Sequence, residues 1–512
     1  MYEIPTFRSP ASGKAAPARS AKFAIILSFI VMLGSPAHAA DGGAVPRFEI
    51  ESVPDEIAPK TGSIVFGYLV VYENRGIADS KTIRLPVMIG KCRSDHPRPD
   101  PVIFTVGGPG VISTMRGGRD LDSWPYLDER DFIYFEQRGA QYAQPSLTGP
   151  EIDSLMLASI EECVNSQPAR ADLIKTAEKM KERLIREGID LSCYSTRESA
   201  ADIEDLRRVL GIEKWNLYGI SYSCRLMLEV MRRYPEGVRA AILDSPLPPD
   251  ASWDETSIER YWGNFVKLSL VCEADSIVRS KYPDLQNRFL ELVREADRNP
   301  ISISIKHPAT GQNAMLKLNG EGLFHLVASY MENGSYVHSF PRNMNLICER
   351  NPDVLSYLAQ EQLSSAQYAW GMRYSVWCNE EIPFEDFSTF TRHQDVPSPL
   401  SEISWTVVEP EIYEFWPRRA VDTLDNQPVY SDIPALVTSG QFDPDTPPEW
   451  GQRVCSTLSS AFYFEFPGQS HTPLFQHPCG RSLGIAFLNN PYTRPSEDCL
   501  SKSGPFKFYS GD

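Results

Sequence analysis

Short apolar runs that end in turn residues alternate along the chain with stretches whose apolar positions recur every three or four residues. Residues 63–72 (SIVFGYLVVY) and 82–89 read as two paired strands of an antiparallel opening. Residues 102–106 run straight into Gly107-Gly108-Pro109-Gly110, and residues 132–135 into Glu136-Gln137-Arg138-Gly139. Residues 200–210 then place Ile203, Leu206, Val209 and Leu210 on one helical face. A short strand at 215–218, a helix at 225–233 closed by Tyr234-Pro235, and a buried strand at 240–243 before Asp244-Ser245-Pro246 complete the series. This alternation predicts a mostly parallel sheet with helices on both faces.

The rhythm stops near residue 250 and returns at 435–439 and 463–466, each again followed by a turn. The stretch between is rich in aromatics and long helical patterns. A chain of 512 residues exceeds what one ordinary core holds. The predicted layout is therefore a core formed by 41–250 and 431–512, the latter with a C-terminal tail, interrupted by a helical cap over 251–430.

The first 40 residues read as an export signal. Arg8, Lys14, Arg19 and Lys22 precede an apolar run over 23–33, and Ala37-His38-Ala39 supplies small residues at the positions a signal peptidase reads. The run falls short of the roughly 20 residues a permanent span needs. The expectation is a periplasmic or secreted protein with no permanent membrane span once the signal is cleaved.

Charge and cysteine usage narrow the function further. The formal net charge is -17, with no basic cluster beyond Arg232-Arg233 and Arg418-Arg419, which excludes a nucleic-acid partner. The acidity serves solubility, and secondarily attracts cationic substrate ends. The ten cysteines form no C-x-x-C pair and none lies at zinc spacing from a histidine, so no metal site is expected. An exported chain allows disulfides, although spacing leaves their pairing open. Cys224 reads as a small core residue.

Four loops carry the chemistry. Gly219-Ile220-Ser221-Tyr222-Ser223 lies between a strand and a helix, as a nucleophile elbow requires, with small neighbours that let the backbone pass closely. Gly107-Gly108-Pro109-Gly110 exposes backbone N–H groups that can meet an oxyanion. Pro109 cannot donate, so Gly108 is the first candidate, together with the N–H of Tyr222. Ser439-Gly440-Gln441-Phe442-Asp443 and Pro467-Gly468-Gln469-Ser470-His471 each put a polar residue just past a strand, where open α/β sheets assemble their sites. Ser221 as nucleophile, Asp443 as orienting acid and His471 as general base follow the chain order of such triads. Asp445 is the rival acid and His477 the rival base.

Taken together these pieces resemble the exported α/β-hydrolases that include proline iminopeptidases and tripeptidyl aminopeptidases, with their TAP-like C-terminal region. The resemblance runs over about residues 100–485. It includes Glu136-Gln137-Arg138-Gly139, the stretch 201–211, Tyr234-Pro235-Glu236-Gly237-Val238-Arg239, Leu243-Asp244, and Asp443-Pro444 with Thr446-Pro447. It implies an α/β-hydrolase fold with an inserted helical cap, no cofactor, and a small peptide as substrate, cleaved from its N-terminus, often at proline. Close relatives include carboxylesterases acting on small esters through the same triad, and an inactive hydrolase-like binding protein is the third reading. The family's cap carboxylates hold the substrate amine, and Trp377-Cys378-Asn379-Glu380-Glu381 resembles that segment, making Glu380 and Glu381 the candidates. Three positions depart from the family. Glu136 stands for Asp, Ala140-Gln141 for Thr-Gly, and Ser223 for the elbow glycine. The first two bear on substrate range more than on catalysis.

Overall fold

A computed structural model describes residues 44–509 apart from 56, 60–63, 112–114, 116–120, 122–123, 159–166, 308–310, 366–367, 388–394, 404 and 503–505. The export-signal segment 1–40, Cys163 and His393 lie outside the described residues. Within them the strands are β1 (Arg47–Glu51), β2 (Ile64–Tyr72), β3 (Thr82–Gly90), β4 (Val102–Thr105), β5 (Phe132–Phe135), β6 (Trp215–Ile220), β7 (Val238–Asp244), β8 (Ile301–Lys306), β9 (Asn313–Leu318), β10 (Ala435–Gly440) and β11 (Ala461–Phe466). Nine of them form one sheet in the order β1-β2-β3-β5-β4-β6-β7-β10-β11. The pairings are antiparallel up to β3–β5 and parallel from β5 to β11.

The central strands are apolar without alternation because both faces are covered. Ile103, Ile133, Leu217, Ala241 and Val437 enter one buried cluster, while Phe104, Tyr134, Tyr218, Ile242 and Leu436 enter the opposite one. On the first face lie α1 (Thr196–Val209), through Ile203 and Leu206, and α2 (Tyr222–Arg233), through Leu226, Met227 and Val230. The second face is closed by the helix Pro478–Asn489 with Leu483, Phe487 and Leu488.

Between β7 and β10 the chain builds a third buried cluster of its own. It contains Tyr261 and Phe265 of α3 (Trp253–Ala274), Phe324 and Val327 of α4 (Gly320–Glu332), and Met372 and Trp377 of α5 (Trp370–Glu380). Tyr222 of α2 also enters it, so this layer is continuous with the elbow helix. The segment is not purely helical. β8 and β9 pair as an antiparallel hairpin, in which Ile303, Ile305, Leu316 and Leu318 are buried. The alternation of ISISIK is the period-2 signal that a search for helical patterns passes over.

Two of the family-like motifs meet in one buried ion pair. Arg138 donates from Nε to Asp202 Oδ2 at 2.8 Å and from Nη2 to Oδ1 at 2.7 Å, and its Nη1 reaches the carbonyls of Glu73 and Cys193. Arg75 pairs with the same carboxylate. Both Arg138 and Asp202 are fully buried, so the network ties the β5 loop to α1 away from solvent. Removing one partner from such a pair leaves an uncompensated charge, at a cost of about 3–5 kcal/mol. Asp202→Ala is expected to lower the urea-unfolding stability by that amount, and a loss under about 1 kcal/mol would contradict this role for the pair.

Candidate active site

Ser221 ends β6 and precedes α2 with φ 57° and ψ -130°. A non-glycine residue at positive φ is strained, and such strain persists where surrounding contacts impose it. The contacts are visible on both sides. A Cβ on Gly219 would sit 2.7 Å from the Ser223 carbonyl oxygen, and one on Gly107 would sit 2.7 Å from Ser221 Cβ. Ser223 replaces the usual glycine without cost to hydrogen bonding. It is fully buried, its Oγ accepts from Ile220 N–H at 2.8 Å, and its own hydrogen faces the carbonyls of Thr105 and Ile220.

The glycine loop therefore runs against the elbow. A Cβ on Gly107 would approach Tyr222 N to 3.0 Å. Gly108 follows with φ 113°, a value glycine tolerates, and Tyr222 opens α2, where an N–H has no helical partner. The segment before α5 braces the loop from the other side, with Ala369 N–H donating to Gly110 O at 2.7 Å and Val111 bridging to Tyr368.

Asp443 and His471 leave the carboxyl ends of the neighbouring strands β10 and β11. Asp443 Oδ1 accepts the N–H groups of Asp445 and Thr446, at 2.9 and 3.0 Å, and Oδ2 accepts Thr446 Oγ1 at 3.0 Å. The remaining direction of Oδ2 meets His471 Nδ1 at 2.8 Å. Burial opposes the charge on Asp443, but His471 and these donors outweigh it and hold the carboxyl below its usual range. The His471 loop packs onto the Asp443 loop because Gly440 has no side chain. A Cβ there would overlap the Ser470 carbonyl.

Strand β7 joins the two halves of the site. Ser221 N–H donates to the Asp244 carbonyl at 3.0 Å, while the Asp244 carboxylate accepts Leu474 N–H at 3.2 Å and Phe475 N–H at 2.8 Å. Ser245 Oγ accepts Thr472 N–H at 2.9 Å. Ser245 and Thr472 have φ of 55° and 56°, so three of the five described non-glycine residues with positive φ lie at this one edge. Burial pushes the Asp244 carboxyl up to about 6.

A second acidic group stands on the solvent side of the imidazole. Asp445 Oδ2 is 3.6 Å from His471 Nε2, and its Oδ1 accepts Trp253 Nε1–H at 2.8 Å and the Tyr261 hydroxyl at 3.3 Å. Tyr261 OH lies 2.5 Å from Glu332 Oε1, and the Glu332 carbonyl accepts His471 N–H at 3.2 Å. Burial and then Asp445 raise the Glu332 carboxyl well above its usual range. Burial works against a charged His471, but Asp443, Asp445 and Glu332 prevail and push it up to about 10.

Two family models match the chain, one described as the alpha/beta hydrolase fold over residues 100–265 and one as TAP-like protein over 409–499. The chain has the α/β-hydrolase fold. The chain is 24% identical over 250 residues to a tripeptidyl aminopeptidase of Streptomyces lividans, covering 46% of each chain. It thus spans about half the length of that relative. It is 21% identical over 418 residues to the serine protease Hip1 of Mycobacterium tuberculosis, covering 77% of this chain and 79% of that one. A solved proline iminopeptidase of Mycobacterium smegmatis aligns at 14% identity, 83% coverage of this chain, 98% of the other and a TM-score of 0.41.

The remaining candidate residues of the hydrolase have other partners. Glu380 accepts Thr196 N–H at 2.5 Å and also bonds the Thr196 hydroxyl, which contacts Tyr222 OH at 2.7 Å. Glu381 is paired with Arg225 at 3.0 Å. Both carboxylates, the candidates for a substrate amine, are buried and bind the end of α5 to α1 and α2. His477 Nδ1 accepts Cys479 N–H and opens the last long helix, away from Asp443. Cys224 is fully buried with Sγ against the Asp244 carbonyl, and Cys479 is joined to Cys499. Among the described residues no group of His, Cys, Asp and Glu could hold a metal ion, and no helix is long and apolar enough to cross a membrane.

Sequence reasoning missed Asp244, Ser245, Tyr261 and Glu332. Asp244 was visible as part of a family-like motif and Asp244-Ser245-Pro246 as a strand-ending turn, neither with a role at the site. Glu332 carries no local signal, because what matters is the packing of α4 against the His471 loop.

Proposed function

We propose that this hydrolase is an exported serine peptidase that removes N-terminal units, of proline type or short, from peptides. The observation that carries the reading is the anionic corner of Asp445 and Glu332 beside His471, shaped by Tyr261 and Trp253. A substrate ammonium seated there pairs with Asp445 and Glu332 beside the imidazole. The similarity to a tripeptidyl aminopeptidase and to a serine protease supports the same class. Residues 251–430 serve as the cap that supplies Glu332, Tyr261 and Trp253 to a core built from 41–250 and 431–512.

In the reaction Ser221 Oγ attacks the carbonyl carbon while its proton passes to His471 Nε2. Asp443 fixes the tautomer and stabilises the imidazolium. The carbonyl oxygen becomes an oxyanion that the N–H groups of Gly108 and Tyr222 receive. The C–N bond then breaks as His471 returns the proton to the leaving amine, and water repeats the sequence on the acyl-enzyme.

Removing the nucleophile of such a set costs on the order of 10⁴-fold or more in turnover. Proline p-nitroanilide is expected to be cleaved, its N-acetyl form far more slowly, and Ser221→Ala to lose the activity by that factor. Cleavage of p-nitrophenyl butyrate with neither anilide touched would instead establish a carboxylesterase. Export is supported by the basic, apolar and small-residue order of residues 1–40 and by the Cys479–Cys499 disulfide, which suits an oxidising compartment. N-terminal sequencing of the mature protein should begin near residue 40, and an intact Met1 would overturn this part of the proposal.

A further inference from the structure

His471 is held from both ends. Its Nδ1 meets Asp443 at 2.8 Å, and its Nε2, the nitrogen that must take the serine proton, faces Asp445 Oδ2 at 3.6 Å. Among the described residues no hydrogen bond reaches Ser221 Oγ. The two aspartates differ in freedom. Asp443 has both oxygens bonded and a side chain 0% exposed, whereas Asp445 has Oδ1 anchored and Oδ2 turned to the imidazole, with its side chain 20% exposed. The Asp445 backbone is fixed, because Arg260 Nη1 reaches the carbonyls of Pro444 and Asp445 at 2.6 and 2.5 Å. Release of Nε2 takes a rotation of the Asp445 side chain that exchanges its bonds to Trp253 and Tyr261 for contact with the incoming cation.

We propose that Asp445 is a specificity-determining gate: in the free protein its carboxylate stands in ion-pair range of His471 Nε2, and a substrate ammonium draws that carboxylate away. The gate rests on the amine-reading function proposed above and adds a cause for discrimination against neutral substrates. A neutral ester brings no cation, so His471 stays paired with Asp445 and is seldom available as a base. A free-amine substrate supplies a positive charge to Asp445 and Glu332, weakens their hold on the imidazolium and favours its neutral form. The charged and titratable groups involved are Asp443, Asp445, Glu332 and the deeper Asp244 around His471, with Arg260, Tyr261 and Tyr368 facing Asp445 and its neighbours.

The sign of the pH effect follows. Neighbouring carboxylates raise the pKa of His471, and the base form is lost as pH falls through that value. Neutralising Asp445 therefore moves the acid limb of kcat/KM to lower pH. A shift of one unit corresponds to about tenfold more base form at neutral pH.

The test is the pH profile of kcat/KM for p-nitrophenyl butyrate and for proline p-nitroanilide, in wild type, Asp445→Asn and Asp445→Ser, with folding checked by circular dichroism. The gate predicts that both variants hydrolyse the ester about tenfold faster at pH 7, with the acid limb lowered by about one unit, while KM for the anilide rises. An ester rate and acid limb unchanged or reduced in both folded variants would overturn it. If wild type shows no preference for a free amine but the variants still shift the ester profile, Asp445 restrains His471 without reading an amine, and the gate fails together with the substrate reading. If wild type prefers the amine and the profile does not move, the substrate reading stands and the gate fails.

Discussion

The hydrogen bond between Asp443 Oδ2 and His471 Nδ1 is the contact on which the rest of the site depends. It forms only because two loops from adjacent parallel strands pack without an intervening side chain, Gly440 lying against the Ser470 carbonyl. Four donors orient the Asp443 carboxylate, three of them supplied by Asp445, Thr446 and the Thr446 hydroxyl. A buried acid so fully bonded stays ionised and fixes both the tautomer and the direction of the imidazole. Asp445 is two residues further along the same turn, and that short distance separates a carboxylate at Nδ1 from one that faces Nε2.

Rigidity comes from the layers beneath. The strands that end at the site are buried on both faces, and β7 couples Ser221 to the His471 loop through Asp244 and Ser245. Positive φ at Ser221, Ser245 and Thr472 is strain that this packing sustains. The inserted layer is attached in turn by Glu380 and Glu381, which reach Thr196 and Arg225. That attachment places α3 and α4 so that Tyr261 and Glu332 complete the outer side of His471.

Much of this was legible in the sequence because it depends on backbone geometry. Glycines at 107, 108 and 219 mark close approaches, and Ser221, Asp443 and His471 each follow a short apolar run that became a strand of the parallel sheet. Arg138 and Asp202 stood out as motif residues, although only the folded chain reveals that they pair. Side-chain partnerships across the inserted layer were not legible. Nothing local distinguishes Glu332, beside the imidazole, from Glu380, spent on Thr196, since both follow apolar helices. The hairpin Ile301–Lys306 with Asn313–Leu318 escaped for a simpler reason, its alternation being short and surrounded by helical periods.

The central claim is that Ser221 is the residue that His471 activates. Mapping the adduct of a fluorophosphonate by mass spectrometry tests it most directly. The account predicts modification at Ser221 in the wild-type protein and its loss in His471→Ala. A label on another serine, or undiminished labelling of Ser221 without His471, would contradict it.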